Sequence, residues 1–143
     1  MERDAKVVPI PVRMQARFGR GKMLIPCPLD VDALIRKVPR GKLITQSQIR
    51  ERLARAADAD CACPLTTSIF VRIVSEAAAE QARAGRSRIT PYWRVIRDDG
   101  RLLENLPGGP STLAAQLEAE GHAIDRVGKL RVKDATRALV RLP

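Results

Sequence analysis

The chain has 143 residues, of which 45% are hydrophobic, enough for one folded domain with a modest core and too many for a disordered segment. It carries 26 Lys and Arg against 16 Asp and Glu, a net charge of +10. That balance favours a polyanionic partner reached through phosphate contacts; an arginine-rich surface of no functional meaning is the plain alternative. No apolar run reaches membrane-spanning length, and the opening "MERDAKVVPIPVRMQ" lacks a signal peptide's apolar core, so a cytoplasmic protein without a membrane partner is expected.

Residues 1–29 form a basic arm punctuated by proline. It can pack over the fold or reach along a phosphate backbone, and its Val, Ile, Met and Leu content favours packing. A first helix is expected from an Asp30 N-cap, with Val31, Leu34, Ile35 and Val38 as its apolar stripe and "PRGK" as its end. "LIT" reads as a short extended piece. Thr45 and Gln48 then have the spacing of a capping box for a second helix, carrying Ile49 and Leu53 to about Ala57.

A third and longest helix is expected over residues 65–84, capped by Thr66 or Thr67 and stopped by Gly85. Ile69, Phe70, Ile73 and Ala77 are assigned to its inner face. Ser68, Arg72, Ser75 and Ala79 are assigned to an outer face, which is either a groove-contacting surface or an ordinary solvated one. "WRVIRDDGRLLE" predicts a β-hairpin turning at Asp99 and Gly100. A further helix, capped near Ser111 or Thr112, carries Leu113 and Leu117 and stops at Gly121. The tail reads as a short extended piece and a basic helix from Asp134.

Helix, turn, helix, loop, longer helix and hairpin is the order of a winged helix-turn-helix. The expected class is therefore mainly α with a short β-hairpin. Cys27, Cys61 and Cys63 lack CxxC spacing, so free thiols are expected; a metal set of "CAC" with His122 is the alternative set aside. "PGGPS" has neither the spacing nor the lysine of a P-loop. No cofactor and no metal are expected.

The only Tyr and the only Trp of the chain, Tyr92 and Trp93, stand side by side in "ITPYWRVIRDDGRL". With "VPRGKLITQSQIRERLA", "NLPGG" and "LEAEGH", that stretch resembles the DNA-binding domain of the O6-alkylguanine-DNA alkyltransferases, above all the alkyltransferase-like proteins. The resemblance spans residues 31–122, and the division it implies is an arm (1–29), a DNA-binding domain (30–122) and a basic extension (123–143). It implies a mainly helical domain whose helix-turn-helix docks in the minor groove and rotates an alkylated guanine into a pocket. In the alkyltransferases, a cysteine in a Pro-Cys-His-Arg motif takes the alkyl group, because a thiolate with a lowered pKa attacks carbon readily.

Here Pro91, Tyr92, Trp93 and Arg94 occupy that motif, so the thiol and its histidine are both replaced. A phenol with a pKa near ~10 is only about 0.1% ionised at pH 7. Alkyl transfer is not expected, and no catalytic residue is assigned. Glu120 matches the relay glutamate, with a helix-end or packing role expected. Gln46 stands for the family's nucleotide-turning tyrosine. Ser68 stands for the intercalating arginine, with Arg72 one turn later. Leu106 stands for a pocket tyrosine, while Pro107, Gly108 and Gly109 keep the loop.

The resemblance thus implies a pocket of Pro91, Tyr92, Trp93, Arg94, Gln46, Leu106, Gly108 and Gly109. The aromatic pair either stacks on an extruded base, worth about 1–3 kcal/mol, or plugs the cavity. The implied DNA contacts are Lys42, Thr66, Thr67, Ser68, Arg72, Arg86 and Arg88. A non-catalytic, monomeric binder of double-stranded DNA, with or without O6-alkylguanine, that signals to a repair-pathway protein is the leading expectation. The alternatives are a protein-interaction or general DNA-binding module with a closed lesion pocket, and an enzyme that transfers an alkyl group to Cys61 or Cys63 or does unrelated chemistry at Tyr92.

Overall fold

The computed structural model describes residues 5–141. Strand β1 (Lys6–Pro9) leads through a 3-10 turn into α1 (Gln15–Phe18), followed by β2 (Lys22–Ile25) and α2 (Pro28–Arg36). Next come β3 (Ile44–Thr45), α3 (Gln46–Ala56), β4 (Cys61–Ala62) and the long α4 (Pro64–Arg83). A 3-10 turn (Tyr92–Arg94) enters β5 (Val95–Ile96); α5 (Gly109–Ala119), β6 (Ile124–Asp125), β7 (Arg131–Val132) and α6 (Ala135–Ala138) complete the chain. The protein is mainly helical, as expected, and its sheets are small.

The capping box forms as its spacing predicts. Thr45 Oγ1 accepts from the Gln48 backbone N–H at 3.1 Å, and Gln48 Oε1 accepts from the Thr45 N–H at 3.0 Å. Helix α2 starts earlier than expected: Cys27 is its N-cap and Pro28 fills the first turn, where its fixed φ suits a helix start. Asp30 is instead a first-turn acid, favourable near the helix dipole's positive end. Helix α4 likewise starts at Pro64 after Cys63, so neither Thr66 nor Thr67 caps it. Helix α5 is likewise capped early, at Gly108, three to four residues before the expected Ser111 or Thr112.

The phase of α4 also differs from the expectation. Its buried stripe is Thr67, Val71, Val74, Ser75, Ala78 and Ala79, whereas Ile69, Ile73 and Ala77 are exposed and Phe70 is half-buried. Small residues win the inner face because they let α4 lie close to its neighbours. The two hydroxyls cost little there: Ser75 Oγ donates to the Val71 carbonyl at 2.6 Å and Thr67 Oγ1 to the Cys63 carbonyl at 2.7 Å. Of the expected outer face, Ser68 and Arg72 are exposed but Ser75 and Ala79 are buried.

The expected hairpin turn is present, with Gly100 N–H bonded to the Arg97 carbonyl at 2.9 Å and Ile96 bridged to Leu102. Strand β5 finds its main partner elsewhere, pairing parallel to β3 with Ile44 opposite Val95. That pairing sets the first turn of α3 beside the turn bearing Tyr92 and Trp93.

The basic arm is itself structured. Strands β1 and β2 pair antiparallel over four residues, and β2 continues parallel to β4, with Met23 opposite Cys61. The tail's extended piece is a β6–β7 pair, and the expected helix from Asp134 is the four-residue α6. The tail then returns to the helices: Leu43 N–H donates to the Ala138 carbonyl, Val140 N–H to the Leu43 carbonyl, and Gln48 Nε2 to the Val140 carbonyl. Leu24, Ile124 and Val132 share one buried cluster with Val31, Ile35, Ile49, Val71, Ile96, Leu113 and Leu117. Each such large side chain contributes about 1.5–3 kcal/mol of apolar burial.

Candidate functional site

The segment 91–94 forms a tight joint between α4 and α5. Pro91 is buried, and Thr90 before it is pinned by a hydrogen bond from its hydroxyl to Asp32. Tyr92 is 5% exposed and meets Trp93 edge to face, with ring centroids 5.4 Å apart at 75°. Trp93 is half-buried, and its indole N–H donates to Glu120 Oε2 at 2.8 Å.

Arg94 closes the joint. Its guanidinium donates to both oxygens of Glu120, the Nη2 contact at 2.8 Å, and through Nη1 to the Val38 carbonyl at 2.7 Å. The Gly41 backbone N–H also points at Glu120 Oε1, at 3.4 Å. The carboxylate, 4% exposed, thus ties together the end of α5, the turn after α2 and the aromatic pair. Burial alone would raise its pKa, but the bonds from Arg94, Trp93 and Gly41, with the Arg94 charge, hold it below the ordinary value. The expected helix-end carboxylate is at the α5 C-cap and is the anchor of this joint.

A neighbouring imidazole is less well provided for. His122 has its Nε2 buried with no hydrogen-bond partner. Burial lowers its pKa below the ordinary histidine value; Glu120 opposes that shift and Arg94 adds to it.

The other residues named for the pocket lie apart from the joint. Gln46 and Leu106 line a cleft of about 410 Å³ with Ser68, Arg72, Arg97 and Asn105, between the start of α3, the first half of α4 and the loop after the hairpin. Pro91, Tyr92, Trp93 and Arg94 do not line it. Tyr92 belongs to the buried cluster that also holds Leu106 and Val71, two of the cleft's apolar walls. Gly108 borders a second cleft of about 540 Å³ that shares Asn105 and Leu106 but is edged by Glu76 and Glu80. Gly108 itself is left-handed (φ 84°) at the N-cap of α5, and a Cβ there would stand 2.7 Å from Cβ of Thr112. Gly109 follows at φ 74°, so the glycine pair answers a backbone demand of this turn.

The residues named for DNA contact divide by exposure. Lys42, Ser68, Arg72, Arg86 and Arg88 are exposed. Thr66 is half-buried, its hydroxyl directed to Cys63 Sγ at 3.3 Å. Thr67 is 1% exposed with its hydroxyl used within α4, which removes it from any external contact. Sequence reasoning missed Arg97 and the apolar rim of the cleft, Leu65 and Ile69, which are 68% and 39% exposed. Arg97 had a signal, since it opens the DDG turn; the two apolar residues had none, since apolar side chains on a helix are expected to face the core.

Cys27 and Cys61 are free and half-buried, and burial raises both thiol pKa values, with Asp60 and Cys63 adding to the shift at Cys61. Cys63 is likewise free and half-buried. Among the described residues no group of three His, Cys, Asp or Glu side chains is placed to hold a metal ion, and no helix is long and apolar enough to cross a membrane.

No protein-family model matches the chain, and no curated protein matches it. Solved structures do, and they show its fold, which is that of alkyltransferase-like proteins. It is similar to S. pombe Atl1 in complex with damaged DNA containing O6-carboxymethylguanine, with a TM-score of 0.53 and 19% identity over 80% of this chain and 94% of that one. It is also similar to S. pombe ATL in complex with DNA, with a TM-score of 0.51 and 18% identity over the same shares. At these identities the likeness establishes the fold.

Proposed function

We propose that the chain is a non-catalytic DNA-binding protein of the alkyltransferase-like type that recognises alkylated guanine. The observation carrying this reading is the cleft beside α4. Gln46, Ser68 and Leu106, which match the nucleotide-turning, intercalating and pocket-lining positions of the resembled family, converge on one concavity. Arg72 and Arg97 at its rim suit phosphate contact, and its apolar walls suit a base face. In this reading α4 is the recognition helix of a winged helix-turn-helix, with Lys42, Arg86 and Arg88 on flanking phosphates. The protein acts as a cytoplasmic monomer and presents the marked site to a repair-pathway protein.

Two features support the absence of alkyl transfer. The position of the reactive thiol is held by Tyr92, 5% exposed, and both oxygens of Glu120 are engaged by Trp93 and Arg94. Raised pKa values at Cys27 and Cys61 disfavour their thiolates as substitutes. Mass spectrometry after incubation with alkylated duplex is expected to show no added alkyl mass.

The burial of Tyr92 also favours a second reading, a DNA-binding or protein-interaction module whose lesion pocket is closed. One experiment separates the two: fluorescence anisotropy on paired duplexes differing in a single O6-methylguanine, at two salt concentrations. Tighter binding of the lesion, lost in Gln46→Ala, supports damage recognition. Equal, salt-sensitive binding leaves a general DNA-binding domain, and no binding to either duplex leaves the protein-interaction module.

A further inference from the structure

The two flanking segments are both basic, but only the tail mixes its cations with carboxylates, Asp125 and Asp134. In the tail, Arg126 pairs with Glu118 at 2.7 Å and Lys129 with Glu104 at 2.5 Å, while Arg131, Lys133, Arg137 and Arg141 join no ion pair among the described residues. Residues 5–29 hold Lys6, Arg13, Arg17, Arg20 and Lys22 and no carboxylate. All five cations are exposed, and none joins an ion pair among the described residues.

These charges ride on a fixed support. Strands β1 and β2 pair over four residues, Met23 is 1% exposed, and the Arg17 guanidinium lies 4.7 Å over the ring of Phe18. Their position is equally defined. Phe18 lines a cleft of about 500 Å³ together with Ser47, Arg50 and Arg55 of α3. Gln46, the residue before Ser47, lines the α4 cleft. The first turn of α3 therefore divides the two clefts, with the arm on one side and α4 on the other.

Glu51, Asp58 and Asp60 also line the Phe18 cleft, so its interior is not a phosphate pocket. The arm is the flanking segment whose exposed cations have no carboxylate among residues 5–29 to offset them. A series of exposed cations on a fixed support, without ion pairs among the described residues, fits a polymer of regularly spaced negative charge, and duplex DNA presents one charge per ~1.7 Å of axis. We infer that the arm, through Arg13, Arg17, Arg20 and Lys22, is a second grip on the phosphate backbone of double-stranded DNA, beside the α4 contact. This inference rests on the proposed DNA-binding function and adds a footprint to it that reads no base and no lesion.

The test uses the full chain and a triple variant, Arg13→Ala, Arg17→Ala and Arg20→Ala, all at exposed positions. A control variant, Lys133→Ala, Arg137→Ala and Arg141→Ala, removes equal charge from the tail. Affinity for undamaged and O6-methylguanine duplexes is measured across a salt series. The arm variant should lower the slope of log K against log salt by about 2–3, since each phosphate contact contributes ~0.9. It should weaken both duplexes by the same factor, with the control nearer the parent. A parent that binds and an arm variant with the control's slope would overturn the second grip alone. A parent with no salt-dependent binding would overturn the DNA-binding reading and the grip together, and loss confined to the lesion duplex would move the arm into the lesion site.

Discussion

Glu120 shows how much one carboxylate can hold. It satisfies the indole of Trp93 and the guanidinium of Arg94, itself only 13% exposed. We predict that Glu120→Ala destabilises the protein by about 3–5 kcal/mol, because it strands a nearly buried charge. Trp93→Phe, which removes one bond to a charged acceptor, should cost about 2 kcal/mol. Equal effects of the two substitutions in chemical denaturation would contradict this division of labour. The pH dependence follows from the same neighbourhood. Glu120 has a folded pKa below its ordinary 4.5, so its contribution is full above that value and is lost as pH falls through the folded pKa. His122 has a folded pKa below its ordinary 6.5, so the unfolded chain binds the proton more readily and stability falls as pH drops below about 6.5. His122→Gln should flatten the stability profile between pH 5 and 7, and an unchanged slope there would remove His122 from the account.

At the scale of elements, α4 separates what the sequence could say from what it could not. Its existence, its length and its stop at Gly85 were legible, as was the capping box that starts α3. Its phase was not, because hydrophobicity pointed to Ile69 and Ile73 while close packing selected Ser75, Ala78 and Ala79. We predict opposite outcomes for two serines on this helix. Ser68→Arg should change stability by less than about 0.5 kcal/mol, whereas Ser75→Arg should cost roughly 4 kcal/mol or more by burying an unpaired charge. Thermal melts of the two variants decide between the observed phase and the expected one. The candidate site was legible in part for a related reason. Gln46, Ser68 and Leu106 fell at family positions and converge on one cleft, while Tyr92 and Trp93 drew attention by their rarity and lie in a buried joint. Composition marks unusual residues; it does not say which way they face.

The ends matter most at the scale of the whole molecule. The tail closes over the region that positions the cleft: Ala138 and Val140 bond to Leu43, and the Val140 carbonyl accepts from Gln48 of the capping box. Sequence periodicity could not reveal this, since four-residue helices and two-residue strands carry too few repeats to register. We predict that a chain ending at Lys133 loses about 3 kcal/mol from three hydrogen bonds at ~1 kcal/mol each. Its melting temperature should fall by roughly 6–12 °C, at ~2–4 °C per kcal/mol for a chain of this size. An unchanged melting temperature would show that the tail merely rests on the surface.

The joint that holds Tyr92 and Trp93 also gives the protein an optical label of its own. The chain has one indole and one phenol, and they lie 5.4 Å apart. Light absorbed by the phenol passes readily to the indole at that separation, so near-ultraviolet emission comes from one place. That place is bonded to Glu120 and lies 5.6 Å from the Arg94 guanidinium. The colour and brightness of the emission therefore report whether this joint is intact, without a dye and without ambiguity about which residue is speaking.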